Sequence, residues 1–280
     1  MRTPDALPAL DGVTNFRELG GLPTPDGRWV RSGAVFRSGH WGRSSEADRS
    51  QLQRLGVRLV FDFRTDADVA HEGADRLPTG VECVRLPTGD PAAADDARGL
   101  ILSGDRDALR AHFGEGRAEQ YMTRAAASLV TDRCDRYAAF LQRLADPGCP
   151  PALFHCSAGK DRAGWAASCL LLALGVAEED VIAHYLVSNE TYDAGQQNAG
   201  FSHVDPELVA LVAPLIKVRE EYVRGSIDAT VERWGGLEGY LEEGLGLRVE
   251  QRERLKQNWL TDETSARNAP ASGEATRGSA

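Results

Sequence analysis

The sequence predicts a fold in which a few buried strands alternate with helices and a helical C-terminal part follows. One observation is that short apolar, β-branched runs, the clearest from Val57 to Phe63, are separated by longer stretches with helical spacing of apolar residues. A second is that the apolar run Pro151 to Phe154 leads through a glycine-containing turn into the helical pattern Arg162 to Leu174. We therefore expect an α/β fold built around a strand, loop and helix.

The composition of the chain argues against several kinds of partner. The chain has 280 residues, 42% of them hydrophobic, and a formal net charge of −10, which argues against nucleic acid or an anionic membrane surface as a bulk partner. Ala166 to Val176 is too short to span a bilayer, and residues 1–11 lack the pattern of a signal peptide. We therefore expect no integral membrane segment and a cytoplasmic location. The five cysteines form no CxxC pair, and neither they nor the histidines have metal-ligand spacing, so no cofactor is expected.

In chain order, residues 1–12 are expected to be a frayed lead-in and residues 13–260 a single domain. Strands are predicted at Ala34 to Arg37, Val57 to Phe63, Val81 to Leu86 and Pro151 to Phe154. A helix capped by Ser44 or Ser45 is predicted to run to Leu55. Residues 92–116 alternate Asp, Ala, Arg and Gly and offer few side chains to bury, so we expect a lid or insertion of low local stability.

The rest of the chain is predicted to be mainly helical. Helices are predicted within Ala118 to Leu144, at Arg162 to Leu174, from Glu178 onward, and at Pro206 to Arg224, Ser226 to Trp234, Gly236 to Glu243 and Val249 to Leu260. Residues 261–280 are rich in Ser, Ala, Gly and charge, and we expect them to be a disordered tail.

The loop between the strand and the helix has the residue types of an anion-binding site with a nucleophile at its base. The backbone N–H groups of residues 157–162 can surround one anion, because a curled loop and a helix N-terminus both present positive partial charge. In such a setting the pKa of the Cys156 thiol falls from about 8.5 toward about 3.5 to 7.5. Arg162 can hold two phosphate oxygens with its planar fork, and Lys160 adds a second cation. The expected phosphate-binding residues are Ser157, Ala158, Gly159, Lys160, Asp161 and Arg162.

These residues predict attack of a thiolate on a phosphate monoester. His155 is expected to be a buried hydrogen-bonding residue that sets the loop. Asp62 and Arg64 follow the end of a strand, and they either brace the loop from beneath or form a structural ion pair.

Two carboxylates compete for the role of general acid. Asp161 lies between two cations, which should lower its pKa and make it a poor proton donor near neutral pH. Asp90 lies on a turn flanked by Pro and Gly that can close over a substrate, and we expect it to be the acid.

The motif His155-Cys156-x5-Arg162 resembles the signature of cysteine-dependent protein tyrosine phosphatases, and residues 158–162 resemble the atypical branch that includes lipid phosphatases. Further agreement lies in Asn15 to Gly21, Phe36 to Gly39, Asp62 to Arg64, Tyr185 to Asn189, Val218 to Tyr222 and Gly235 to Leu241. Together these motifs resemble the bacterial family of mycobacterial secreted tyrosine phosphatase B. The resemblance implies a tyrosine-phosphatase-like central sheet with helices on both faces, and activity on phosphotyrosine and some phosphoinositides, with phosphoserine and phosphothreonine as further candidates.

By position, the resemblance makes Cys156 the nucleophile, Arg162 the phosphate clamp and Asp90 the general acid. Lys160 and Asp161 match the loop of lipid phosphatases, in which the lysine adds charge for polyanionic substrates.

One residue departs from the family pattern. Most members carry Ser or Thr after the arginine, whereas this chain has Ala163. That hydroxyl helps the cysteine leave when water hydrolyses phosphocysteine, so its absence is expected to slow this step by roughly one to two decades.

Three other kinds of protein share part of this pattern. A nucleotide-binding P-loop is excluded, because Phe154 stands where its first glycine is needed and Asp161 where its hydroxyl is needed. A sulfurtransferase also places a cysteine in an anion-binding loop, but the additional motifs disfavour it. The third is a weakly active phosphate-binding module, which the retained Cys156, Arg162 and Asp90 disfavour.

Overall fold

A computed structural model describes residues 10–89, 99–100, 103–191 and 206–262. The central sheet consists of β1 (Arg17–Glu18), β3 (Val35–Ser38), β4 (Leu59–Asp62), β5 (Glu82–Arg85) and β6 (Ala152–His155). Its order is β1-β3-β6-β4-β5, and every neighbouring pair is parallel except β1 and β3. The predicted α/β class and the four predicted strands are confirmed, and β1 is an addition.

Helices lie on both faces of this sheet. They are α1 (Glu46–Arg54), α2 (Asp66–Glu72), α3 (Arg106–Phe113), α4 (Arg117–Thr131), α5 (Cys134–Leu144), α6 (Arg162–Leu174), α7 (Glu178–Leu186), α8 (Ser188–Thr191), α9 (Pro206–Ile216), α10 (Glu220–Trp234), α11 (Leu237–Gly239) and α12 (Val249–Trp259). Phe61 and Phe154 face the larger core, whereas Val60 and Leu153 face a second core that contains Leu52 of α1. Because both faces are buried, these strands are continuously apolar instead of alternating.

Helices α1 and α2 each begin at a cap formed by side chains of their own first turn. The Ser45 side chain accepts from the backbone N–H of Asp48, whose carboxylate in turn accepts from the N–H of Ser45, so the predicted cap of α1 is confirmed. Helix α2 was not predicted, although Thr65 and Asp68 form the same reciprocal cap.

The prediction of one helix from Pro206 to Arg224 was wrong. The chain breaks between α9 and α10, where the side-chain amide of Asn189 bonds both the N–H and the C=O of Val218, each at 2.9 Å. The predicted interruption at residue 225 was also wrong, because α10 continues through Gly225. A Cβ at Gly225 would lie 2.8 Å from a methyl carbon of Thr123, so glycine permits close packing of α10 on α4.

The predicted lid falls only partly on described residues, and Asp90 lies outside them. Its described helix, α3, buries Leu109 and Phe113 in a small core with Val212 of α9 and Ala118 of α4. The C-terminal end of α9 therefore packs together with the insertion.

Residues just outside both ends of the predicted domain, 13–260, make backbone contacts with it. The backbone N–H groups of Asp11 and Gly12 donate to the carboxylate of Asp48 at 2.8 and 2.9 Å, so the ordered chain begins before residue 13. Thr261 and Asp262, predicted to start the tail, belong to β7 (Leu260–Asp262), which pairs with β2 (Arg28–Val30) in a separate antiparallel sheet. Their polar composition predicted disorder, but hydrogen bonds between backbones hold these two residues in a strand.

Within the described ranges, no helix combines the length and the apolar character needed to cross a membrane.

Candidate active site

The predicted loop lies at the carboxyl end of the central strand. Cys156 follows β6 directly, and Arg162 is the first residue of α6. Since β6 lies between β3 and β4 and is parallel to both, Ser38 and Asp62 each pair with His155 at the same edge. We call the flank of the loop next to β3 the β3 side and the flank next to β4 the β4 side.

On the β3 side, two side chains hold the loop carbonyls. The Asn15 amide donates to the carbonyl of Gly159 at 2.8 Å, and the Nη2 atom of Arg37 donates to the carbonyls of Gly159 and Lys160 at 2.7 and 3.1 Å. The C=O and N–H of a trans peptide point in opposite directions. These bonds therefore turn the N–H groups of Lys160 and Asp161 toward the inside of the loop.

Two backbone contacts complete the β3 side. The N–H of His40 donates to the carbonyl of Ser157 at 3.0 Å. Gly159 has φ +70°, and a Cβ there would lie 2.3 Å from the carbonyl of Ser38, so this position requires glycine. The loop thus lies directly against the end of β3.

The Arg162 guanidinium is held on the β4 side. Its Nη1 donates to Asp68 Oδ2 at 2.7 Å and to the carbonyl of Thr88 at 3.1 Å, and its Nη2 donates to Ser157 Oγ at 3.0 Å. Burial opposes the charge of Asp68, but the guanidinium and the capping bonds keep its pKa below the ordinary value. Sequence reasoning missed Asp68, and its one signal was the capping pattern Thr65-x-x-Asp68.

Cys156 is 3% exposed. It differs from the other cysteines by its place in the loop. Partial shielding from water raises the pKa of Cys83 and of Cys149 to about 11, and burial also raises the pKa of Cys134 and Cys169. These four thiols are therefore in the protonated, unreactive state at neutral pH.

His155 connects the loop to a buried charge network. Its Nδ1 lies 3.2 Å from the carbonyl of Cys156, and its Nε2 lies 3.0 Å from Asp75 Oδ2. Arg64 forms ion pairs with Asp62 at 3.0 Å and with Asp75 at 2.8 Å. Burial acts against both charges, yet the contact between His155 and Asp75 raises the histidine pKa and lowers the pKa of Asp75 to about 2.

Asp62 and Arg64 were expected either to brace the loop or to form a structural ion pair, and in the structure they do both. They form a buried ion pair, and that pair reaches the loop through Asp75 and His155. Asp75 was missed because its sequence neighbourhood carries no motif. Asp62, Asp75 and His155 bring possible ligand atoms within 4.8 Å of one another, but the Arg64 guanidinium binds both carboxylates and supplies the positive charge there.

Lys160 does not face the centre of the loop. Its Nζ donates to the carbonyls of Leu215 and Ile216 at 2.6 and 3.1 Å, and it lies 3.4 Å from Asp161 Oδ2. These carbonyls belong to the last turn of α9, where a cation is favoured by the helix dipole. The proposed contact of Lys160 with a polyanionic substrate therefore requires these bonds to break.

A cysteine beneath inward-facing amides, with a guanidinium at the start of the following helix and an α/β sheet behind it, defines the class of cysteine-dependent phosphatases. The family model described as "Tyrosine phosphatase family" matches residues 8–261. The chain belongs to this family, and the predicted enzyme class, a protein-tyrosine phosphatase, is confirmed.

Two relatives of this chain are also named as phosphatases. A Cupriavidus necator protein provisionally named a tyrosine-protein phosphatase is 34% identical over 87% of this chain and 85% of its own length. The triple specificity protein phosphatase PtpB of Mycobacterium tuberculosis is 31% identical over 85% of this chain and 94% of its own length. Among solved structures, the core catalytic domain of the S. cerevisiae PP-IP phosphatase Siw14 covers 74% of this chain and 96% of its own length, with 12% identity and a TM-score of 0.35. The relatives' names disfavour a module that only binds phosphate.

Proposed function

We propose that this phosphatase hydrolyses phosphate monoesters through a phosphocysteine intermediate, with Cys156 as the nucleophile and Arg162 as the phosphate clamp. The observation that carries this proposal is the set of loop carbonyls bound by Asn15, Arg37 and His40, because the N–H group of each of these peptides then points to the opposite side, toward the inside of the loop. Amides fixed in this way stabilise phosphate charge without reorganising during the reaction.

The reaction has two displacements at phosphorus. In the first, the Cys156 sulfur forms a bond to phosphorus while the bond to the ester oxygen breaks, and the leaving oxygen takes a proton from a general acid. In the second, water attacks phosphorus, the sulfur leaves as thiolate, and inorganic phosphate is released. Arg162, anchored by Asp68 and Ser157, is placed to hold equatorial oxygens in both steps.

Asp90 is our candidate for the general acid, and Asp161, whose side chain is 19% exposed, is the alternative. Asp90→Asn and Asp161→Asn are compared on an aryl phosphate with a basic leaving group and on one with an acidic leaving group. The acid's variant should lose kcat mainly on the first substrate, because only a basic leaving oxygen needs a proton in the transition state. That pattern in Asp161→Asn alone would exclude Asp90.

The proposed substrates are phosphotyrosine proteins and, as a second class, phosphoinositides. Lys160 supports the second class once its bonds to the carbonyls of Leu215 and Ile216 break, since one more cation then favours a substrate with several phosphates. A reducing, cytoplasmic compartment suits a catalytic thiolate, and the five cysteines are thiols.

Cys156→Ser tests the proposal. Phosphate release from a phosphotyrosine peptide, without added metal and with a chelator present, should fall to background while peptide binding persists. Cys83→Ser changes an exposed thiol and is the control, with wild-type activity expected. Turnover by Cys156→Ser, or a need for a divalent ion, would overturn the assignment.

A further inference from the structure

Arg37 is a buried cation that the reaction scheme above does not use. It is 0% exposed, and its Nη2 binds two loop carbonyls. Its Nε and Nη1 are buried without a hydrogen-bond partner. Among the described residues, no carboxylate forms an ion pair with it.

Three other cations at the loop have carboxylate partners. Arg162 lies 2.7 Å from Asp68, Lys160 lies 3.4 Å from Asp161, and Arg64 binds two carboxylates. A buried charge without a counter-ion is strongly unfavourable. Arg37 therefore requires an anion other than a neighbouring carboxylate in direct contact.

Arg37 also lies next to other positive charges, which increases its need for an anion. A Cβ at Gly164, in the first turn of α6, would lie 3.3 Å from Arg37 Nη2, so the guanidinium lies beside the positive end of that helix. A second buried guanidinium, that of Arg17, repels it. Both neighbours disfavour a cation here unless negative charge is close.

Cys156, Tyr185 and Asp161 are the acidic groups that face Arg37, and Arg17 and His184 are the basic ones. Burial lowers the pKa of Arg37 to about 10, and the Cys156 thiolate opposes that shift more than Tyr185 or Asp161 does. Burial also keeps Tyr185 and His184 uncharged, because it raises the tyrosine pKa and lowers the histidine pKa. When ionised, Cys156 is thus the acidic group that acts most strongly on this guanidinium.

We propose that Arg37 is a positioning residue whose buried charge holds Cys156 as the thiolate, while its Nη2 fixes the amides that receive the phosphate. This inference rests on the proposed function. The charge of Arg162 is balanced by Asp68, whereas the charge of Arg37 remains available to the sulfur and then to the bound phosphate.

The test measures the rate of Cys156 alkylation by iodoacetamide against pH, followed by peptide mass spectrometry. Arg37→Gln keeps a donor to the loop carbonyls but removes the charge, and it should move the midpoint upward by about 1 to 3 pH units. Arg37→Lys keeps the charge and should move it by less than about 1 unit. Arg31→Gln removes a guanidinium that also donates to backbone carbonyls, those of Gln257 and Leu260, and is the matched control, with the wild-type midpoint expected.

Each outcome separates the two proposals. An unchanged midpoint in Arg37→Gln, or equal shifts in Arg37→Gln and Arg37→Lys, overturns the role of the charge and leaves Cys156 as the nucleophile. A wild-type midpoint near the ordinary thiol value of about 8.5 instead removes the thiolate from the proposed function itself.

A measurement on the wild-type protein covers the case in which Arg37→Gln does not fold. The Nε resonance of Arg37, assigned by its loss in Arg37→Lys, is followed by NMR through the titration of Cys156. Its chemical shift should change with the same midpoint as the alkylation rate. A resonance that stays constant while Cys156 titrates overturns the proposal.

Discussion

The two sides of the phosphate loop hold it with different chemistry. On the β4 side, the cations Arg64 and Arg162 have carboxylate partners at 2.7 to 3.0 Å, and His155 lies against Asp75. On the β3 side, Asn15 and Arg37 bind loop carbonyls, and the buried guanidinium has no carboxylate partner among the described residues.

The two sides therefore contribute differently to phosphate binding. Paired charges on the β4 side cancel each other, so they fix geometry while adding little net field at the loop. The unpaired charge on the β3 side keeps its field, so it favours an anion at the site. A loop that must bind a dianion over a thiolate requires both rigid support and positive potential.

The largest expected effect comes from breaking the contact between the loop and the β3 side. Gly159→Ala places a Cβ 2.3 Å from the Ser38 carbonyl and should displace the amides, with a loss in kcat of about 100-fold or more. Gly148→Ala is the control, because Gly148 has the same φ of +70° but nothing within 4 Å of its Cβ position. The control should lose about 1 kcal/mol of stability and no activity. Equal activity loss in both variants would mean that the close approach to β3 is unimportant.

The next effect concerns stability on the β4 side. Asp75 has a pKa of about 2 in the folded protein, against about 3.9 when unfolded, so its ionised form stabilises the fold by about 2.5 kcal/mol at pH 7. Because the folded pKa is the lower one, this contribution is present above about pH 4 and is lost as pH falls toward 2. Urea unfolding of Asp75→Asn and of the wild type should show this gap at pH 7 and its decrease below pH 4.

Glu72→Gln is the control for that measurement. Glu72 also touches Arg64, at 3.4 Å, but it is more exposed than Asp75 and should cost less than about 1 kcal/mol. A gap for Asp75→Asn that does not change with pH would show that the carboxylate charge is not what stabilises the network.

A third prediction concerns the second step, in which the Cys156 sulfur leaves phosphorus. Ala163 is fully buried at the start of α6 and has no hydroxyl for the departing sulfur. We expect a burst of leaving-group release followed by a steady state about 10- to 100-fold slower, relieved in Ala163→Thr. Rapid-quench measurement of phosphocysteine checks this. Steady-state kinetics without a burst, and unchanged by the hydroxyl, would place the slow step elsewhere.

The smallest effect is expected from weakening the anchor of the clamp. In Asp68→Asn the amide oxygen still accepts from Arg162 but carries no charge, so kcat/KM should fall about tenfold. Asp66→Asn, on the same helix with a side chain 94% exposed, should match the wild type. Identical kinetics for the two variants would show that Arg162 needs no carboxylate to stay in place.

The parts of the fold visible in the sequence were those with a local pattern. The strands β4 and β6 and helix α6 are largely apolar segments, and the cap of α1 lies within one turn. By contrast, β1, β2 and β7 have two or three residues each, too few for any period. The end of α9 depends on Asn189, a contact across the chain that no local pattern shows.

In the site, too, residues within a local motif could be predicted, whereas residues that act through distant contacts could not. Cys156 and Arg162 stand in one contiguous motif and were assigned chemistry directly. Arg37 lies in a motif noted for its resemblance, but its burial without a counter-ion depends on three-dimensional packing. Asp68 and Asp75 reach the loop across the sheet edge. Supporting residues act through such distant contacts, which spacing along the chain does not reveal.

The pairing of β2 with β7 has a consequence for biosynthesis. Arg28 lies opposite Asp262, and the N–H of Arg31 donates to the carbonyl of Trp259 at 2.8 Å. During translation, β2 leaves the ribosome long before its partner strand is made, so its edge stays unpaired while the central sheet assembles. An unpaired edge is a template for association with other chains. This protein should therefore be most vulnerable to aggregation during synthesis, and gain its protection when residues 259–262 emerge.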